Sequence, residues 1–237
     1  MRRRKRKRSF TKLLLVIFFI AFIAIAAKYS FSDVLKAGSA QVVDQGRPIE
    51  TADILLLVNK ENKLPDGFEA DLTTVEGAKV SRILAGSLKE MIEAAKKEKV
   101  YINIAESYRT KADQEQIFND TVFGYVKQGN SQNVALERAN LVAALPGYSE
   151  HETGLAIDFS FGVNADKQAE MWDWLSENAY KYGFILRYPE GKEHITGYSY
   201  EPWHYRYVGK EHAKAIYEQD LVLEEYLNCN WEYLKSN

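Results

Sequence analysis

The 237-residue sequence predicts an α+β domain behind an N-terminal apolar segment, and three observations carry that reading. Val80, Ile83, Leu84, Leu88, Met91 and Ile92 recur at helical spacing, which predicts a helix over 78–97 with one buried face. Val100, Ile102 and Ile104 alternate with Tyr101, Asn103 and Ala105, and Leu155, Ile157 and Phe159 alternate with Ala156 and Asp158. Such period-two runs mark half-buried strands. Residues 1–28 stand apart in composition, with a basic cluster from Arg2 to Arg8 and then an unbroken apolar run from Leu13 to Ala27.

At 46% hydrophobic and 27% charged residues, the chain is globular, long enough for one domain and an appendage. Its net charge of -2 conceals a division. Residues 1–28 hold nine basic groups and no acidic one; taking nine from the chain's 31 leaves 22 against 33 acidic residues, a net of -11. A body that acidic argues against nucleic acid, whose binding rests on neutralising phosphates. The single cysteine, Cys229, excludes an internal disulfide and a cysteine-rich zinc site.

The elements follow in order. Leu13–Ala27 would span roughly 22 Å at ~1.5 Å per residue, short of a ~30 Å hydrocarbon core. Ala24-Ile25-Ala26 resembles a cleavage site, whereas Phe10 and Thr11 can lengthen the helix and Lys12 and Lys28 can snorkel. The reading adopted is an uncleaved anchor in the lipid bilayer with the bulk of the chain extracytoplasmic; the alternative is a signal peptide and secretion. Residues 1–28 are thus the basic flank and anchor or signal peptide, 29–50 a linker, and 51–237 the domain. Within the domain, 53–60 reads as a strand and Leu64–Gly67 as a turn. After the helix over 78–97 and the strand over 100–105, the polar run Glu106–Thr110 leads into two helices over 111–144, broken around Gly129-Asn130. His151 falls in a polar loop, and Asp158 on the strand face opposite Ile157 and Phe159. A helix through Met171, Trp172, Leu175 and Ala179 ends at Gly183, a strand over 184–188 follows, and Arg187 is expected in a salt bridge. The aromatic run 200–208 reads as a strand with a bulge or edge at Pro202, bringing Glu201 and His204 to one side, and Trp203 is expected in the core. A helix closes the chain after Gly209, with His212 expected at its surface.

Two runs concentrate the chemistry: Ser149-Glu150-His151-Glu152-Thr153-Gly154-Leu155-Ala156-Ile157-Asp158 and Glu201-Pro202-Trp203-His204. They supply two imidazoles, a carboxylate and a spare carboxylate, the inventory of a catalytic zinc site with three protein ligands, one open position and a general base. The helical H-E-x-x-H arrangement is excluded because Leu155 stands where its second histidine is required. Zinc then falls to His151, Asp158 and His204, because a directly bound Glu201 would lose its basicity as the catalytic proton acceptor.

The combined pattern S-x-H-x-x-G-x-A-x-D followed by E-x-W-H resembles the D-alanyl-D-alanine carboxypeptidases of the VanY type. The likeness extends to Leu57-Val58-Asn59-Lys60 with Leu64-Pro65 and Asp71-Leu72, and to S-x-Y-R-[ST] at Ser107–Thr110 with Gln114 beyond it. The resemblance implies an antiparallel sheet flanked by helices with the zinc site on the sheet, the D-Ala-D-Ala metallopeptidase or hedgehog-like fold. It also implies a catalytic and substrate-binding role for Arg109, and substrate contacts from Ser149 and Gln114. The implied reaction removes the terminal D-alanine from peptidoglycan stem peptides. An L,D-carboxypeptidase, an endopeptidase on the same stems, or a non-catalytic zinc-containing wall-binding module are the alternatives. Thr110 and Pro202 depart from the usual residues without removing a functional group.

Overall fold

The computed structural model describes residues 54–160 and 165–229; the predicted anchor at 1–28, the linker at 29–50 and the first residues of the predicted domain lie outside them. No helix among the described residues is long and apolar enough to cross a membrane.

The first element is a hairpin, β1 (Leu72–Val75) and β2 (Ala78–Ser81), in register from Leu72↔Ser81 to Val75↔Ala78. Its two-residue turn, Glu76-Gly77, has positive φ at both positions (48° and 82°), the geometry that matches the twist of antiparallel strands. That turn corrects the helix predicted over 78–97. Ala78–Ser81 folds back as β2, a 3₁₀ turn takes Arg82–Leu84, and the helix α1 is Ala85–Lys97. The apolar spacing was compatible with both, because Val80 and Leu84 are buried either way.

The main sheet joins β3 (Asn103–Glu106), β4 (Ala156–Ser160), β5 (Phe184–Leu186) and β6 (His204–Tyr207) in the order β3-β4-β6-β5, every pair antiparallel. Around it lie α2 (Lys111–Lys127), α3 (Gln132–Val142), α4 (Ala165–Asn178), the short α5 (Glu193–Thr196), α6 (Lys210–Glu218) and α7 (Leu223–Cys229). Alternation gives the sheet two unlike faces. Ile157, Phe159, Tyr205 and Tyr207 join the main core with Leu88 and Met91 of α1 and Met171 and Leu175 of α4. Ala156, Asp158, His204 and Arg206 occupy the other face, where a second cluster of Leu55, Ile185, Val208, Ile216 and Leu223 forms under α6 and α7. The α2–α3 hairpin has its own small core of Phe118, Val122, Ala135 and Ala139.

Two predicted strands are corrected. Residues 54–60 form no strand; Leu55, Val58 and Asn59 are buried in an irregular segment. Its backbone is satisfied by a side chain instead of a ladder, since Arg206 Nη2 donates to the carbonyls of Leu56 (2.8 Å) and Ile54 (3.1 Å). The strand read over 200–208 begins only at His204. Residues 201–204 make a turn closed by His204 N–H to the Glu201 carbonyl (3.2 Å). β6 is an interior strand, so Pro202 is accommodated by preceding it and not by an edge or bulge.

Candidate metal centre and active site

The sheet register assembles the site. Asp158 pairs with Glu106 on one side and His204 on the other, and Arg187 N–H donates to the His204 carbonyl (3.1 Å), so one cross-strand row carries all four residues. Directly paired residues share a face, which brings the Asp158 carboxylate to 2.9 Å from His204 Nδ1. His151 arrives from a single 3₁₀ turn, Glu150–Thr153. It was expected in a polar loop, yet all four residues of that turn are buried. Gly154 ends the turn at φ 73°, and a Cβ there would lie 3.0 Å from Ser81 N, whose N–H donates to the Gly154 carbonyl at 2.8 Å. The β1–β2 hairpin thus docks against the residue that turns the chain from His151 into β4.

His151 Nε2 lies 3.4 Å from Asp158 Oδ1, and the two imidazole rings meet edge to face at 5.0 Å. His151, Asp158 and His204 can each offer one ligand atom, all within 4.8 Å of one another. Asp158 Oδ1 is buried without an aligned hydrogen-bond donor, although His204 Nδ1 is close by distance. Two imidazole nitrogens and a carboxylate oxygen converging on one point are a donor set suited to a divalent transition metal. Burial alone would raise Asp158, but His151 and His204 beside it hold the carboxyl well below the usual range. The same burial keeps His151 below the ordinary imidazole value. For His204 burial opposes the charge, and the adjoining Asp158 and Glu150 carboxylates outweigh it, pushing the group up to about 9.

Each imidazole is oriented through its other nitrogen. His151 Nδ1 meets the Ser107 carbonyl at 2.8 Å, and His204 Nε2 meets Glu150 Oε2 at 3.4 Å. Glu150 is held in turn by Arg187 Nε and Arg206 Nη1, each 2.8 Å from Oε1. Arg187 also grips Glu224 of α7 through both terminal nitrogens (2.9 and 2.6 Å), and Asn59 Nδ2 donates to the same carboxylate (3.0 Å). Two arginines that are fully buried are thereby balanced by two carboxylates. Although burial works against ionisation, the two guanidiniums hold Glu150 far below the usual carboxylate range. The salt bridge expected of Arg187 is present, in the layer behind the metal centre.

The remaining predicted residues surround a cavity of ≈ 220 Å³ lined by Arg109, Gln114, Ser149, Tyr188, Glu201 and Trp203, among others. Arg109 follows β3; its Nη2 lies 3.7 Å from Asp158 Oδ2, and Nη1 donates to Gln114 Oε1 at 2.8 Å. Gln114, buried, donates to the Ala144 carbonyl (2.7 Å), so its place is to hold the guanidinium over the site. The start of α2 beneath them is fixed by reciprocal capping: Asp113 N–H donates to Thr110 Oγ1, and Thr110 N–H donates to Asp113. Glu201 Oε2 lies 3.9 Å from His204 Nδ1, and burial raises its carboxyl above the ordinary value. Ser149 is buried at the cavity wall. Glu152 accepts from Gly147 N–H at 2.7 Å, which pins the loop ahead of the site and leaves it no part in the cavity. Trp203, expected in the core, is 38% exposed and lines the cavity while packing against Trp172. His194 is exposed on α5, and His212, half-buried, meets the Tyr226 hydroxyl at 2.7 Å; both stand outside the site.

Sequence reasoning missed Glu150, Arg206 and Tyr188. Arg206 carried a usable signal, since it stands two positions from His204 on a strand and so shares its face. Tyr188, whose ring meets that of His204 at a tilt with centres 4.8 Å apart, and Glu150 carried none.

The family model described as VanY, D-alanyl-D-alanine carboxypeptidase, matches residues 77–210. A D-alanyl-D-alanine carboxypeptidase of Enterococcus faecalis (strain ATCC 700802 / V583) is 41% identical over 175 residues, 73% of this chain and 65% of that protein. The chain therefore spans just under two thirds of that relative's length. Among solved structures, a vancomycin resistance D,D-pentapeptidase VanY in complex with Zn(II) aligns at 41% identity with a TM-score of 0.69, over 73% of this chain and 98% of that one. VanYB in complex with D-alanine-D-alanine aligns at 41% identity and 0.70, over 73% and 97%. The LdcB LD-carboxypeptidase aligns at 40% identity and 0.64, over 74% and 86%.

Proposed function

Because this chain belongs to the VanY family of D-alanyl-D-alanine carboxypeptidases, we propose that its site is that of a zinc-dependent D,D-carboxypeptidase which removes the terminal D-alanine from peptidoglycan stem peptides. The observation that carries the reading is the convergence of His151, Asp158 and His204 beside a carboxylate, Glu201, that is not part of the ligand group. Zinc held by the three ligands supplies a Lewis acid that polarises a carbonyl and makes water a nucleophile near neutral pH. Glu201, whose proton affinity is raised by burial, accepts the proton of the attacking water and returns it to the leaving amine. Arg109, fixed by Gln114, offsets negative charge on the substrate carboxylate or on the developing oxyanion. Ser149 presents its hydroxyl from the cavity wall to the terminal residue. On sequence grounds, the basic flank and apolar run of residues 1–28 tether this activity to the outer face of a cell membrane.

The full chain, loaded with zinc, is expected to release one D-alanine from a pentapeptide ending in D-Ala-D-Ala, and a chelator is expected to stop it. Product masses check this. The L,D reading is favoured by one observation, the 40% identity to LdcB, and it would be established if only the matching tetrapeptide were cut. Zinc bound with neither peptide cut would point to an endopeptidase or a binding module.

Proton competition makes a further expectation. In the metal-free protein, against the effect of burial, the Asp158 and Glu150 carboxylates push His204 up to about 9, whereas burial holds His151 below the ordinary imidazole value. A ligand must be deprotonated to bind, so zinc affinity should rise with pH, by about tenfold per unit between pH 7 and 9, with one proton released. Competition against a chromophoric chelator across that range measures it; a pH-independent affinity would contradict the assignment of His204.

A further inference from the structure

From the metal centre a line of rings leads out to a cation. The rings of His204 and Tyr188 meet at a tilt with centres 4.8 Å apart, those of Tyr188 and Tyr198 likewise at 4.6 Å, and the Lys60 ammonium stands 4.3 Å from the Tyr198 ring centre. Tyr188 and Tyr198 both line the catalytic cavity. Lys60 is half-buried and donates to the Gly197 carbonyl, and among the described residues no carboxylate pairs with it. An ammonium has three donors, so hydrogen-bonding capacity remains. Desolvation lowers its proton affinity, with the charge of Glu201 acting in the opposite direction, which places it in the electrostatic field of the site.

The mounting is rigid. Asn59, the preceding residue, is buried; its Nδ2 donates to Glu224, and its Oδ1 accepts from the backbone N–H groups of Glu61 (3.0 Å) and Asn62 (2.9 Å). A lysine whose stem is flexible is thus set on an anchored backbone. Its position in the fold also differs from that of Arg109. Arg109 follows β3 at one edge of the sheet, Tyr188 follows β5 at the other, and the metal ligands on β4 and β6 lie between. A peptide whose terminal carboxylate meets Arg109 would run past the metal ligands toward Tyr188 and Tyr198. At ~3.4 Å per extended residue, these separations reach at most about four residues of peptide.

We propose that Lys60 is a specificity-determining residue that reads a carboxylate on the substrate, upstream of the scissile bond. The proposal rests on the carboxypeptidase reading and adds to it the chemistry of the far end of the substrate. Two positions of a stem peptide can supply that group: the free α-carboxylate of a γ-linked D-glutamate, or the second carboxylate of a diaminopimelate at the third position. Both are carboxylates two or three residues upstream, and two matched pairs of pentapeptides separate them. One pair carries D-isoglutamate or D-isoglutamine; the other carries meso-diaminopimelate or lysine.

The zinc-loaded full chain is to be measured with each peptide by equilibrium binding and by D-alanine release. In one pair the acid is expected to bind about tenfold more tightly than its neutral counterpart, the scale of one hydrogen bond to a charged group. The preference should appear in KM with kcat little changed. Lys60→Gln should bring the ratio close to one, while Lys60→Arg, which keeps the charge, should retain it; circular dichroism reports whether each variant is folded. Equal binding of acid and neutral peptides in both pairs overturns the proposal, as does a preference that survives Lys60→Gln. Discrimination in binding that depends on Lys60, with no peptide cut, supports the role of Lys60 and counts instead against the carboxypeptidase reading.

Discussion

Glu201→Gln is expected to lower kcat by about 10²–10⁴-fold, the range over which a positioned general base contributes, while leaving one zinc bound per chain. The split follows from position. Glu201 lies in the turn before β6, 3.9 Å from His204 Nδ1, and is not one of the three residues whose ligand atoms converge. Glutamine keeps the size and hydrogen-bonding reach of the side chain but cannot accept a proton. Turnover of a D-Ala-D-Ala pentapeptide, measured beside zinc content, is the check. Loss of zinc in the variant would move Glu201 into the ligand set, and retained turnover would remove it from catalysis.

The second large effect is expected at a residue outside the converging ligand group. Glu150 joins Arg187, Arg206 and His204 in one buried group. Glu150→Ala leaves Arg187 with Glu224 alone and strips Arg206 of its carboxylate partner, both guanidiniums being fully buried. Breaking a buried pair in this way costs about 3–5 kcal/mol. Against a total stability on the order of 5–15 kcal/mol, that is a large fraction. The same change removes the acceptor that orients His204, and losing such a partner typically weakens metal binding by about 10–100-fold. Denaturant midpoints and zinc competition measure the two losses separately. Glu150→Gln, which preserves shape, should keep part of the first and little of the second. A variant as stable and as zinc-avid as the natural chain would mean that the pairing has no energetic weight.

The convergence of His151, Asp158 and His204 was legible from the two runs that carry them. Leu155 excludes the helical zinc motif, and the order of the S-x-H-x-x-G-x-A-x-D and E-x-W-H runs, through the family resemblance they carry, singles out His151, Asp158 and His204. The alternation at Leu155–Phe159 was also sufficient to give Asp158 its face, and the register then found His204 opposite. The strand boundaries were less accessible. Residues 53–60 are apolar enough for a strand, yet their carbonyls are taken by Arg206, some 150 positions away, and no local pattern encodes that. Residues 78–81 satisfy helical and strand spacing alike, and the tight turn at Glu76-Gly77 decides between them. Trp203 was assigned to the core on the general behaviour of tryptophan; its position in a turn beside the cavity leaves one edge facing outward. Glu150, inside a run of charged residues, carries no mark in the sequence that it is among the most buried groups of the site.

The tie from Arg187 to Glu224 has a consequence for the order in which the protein is made. The three residues that can hold a metal have all been added to the growing chain by His204, and Glu201, the proposed base, by then as well. The carboxylate that completes the balance behind His204 is added twenty positions later, on the last helix described. Without that helix, Arg187 would have only Glu150, which it shares with Arg206, and the layer that orients His204 would be one charge out of balance. A chain cut short between those two points would hold His151, Asp158, His204 and Glu201 and lack the Glu224 carboxylate that pairs with Arg187 behind them. The charge balance behind the metal centre thereby depends on a helix about twenty residues beyond the last of the converging ligands.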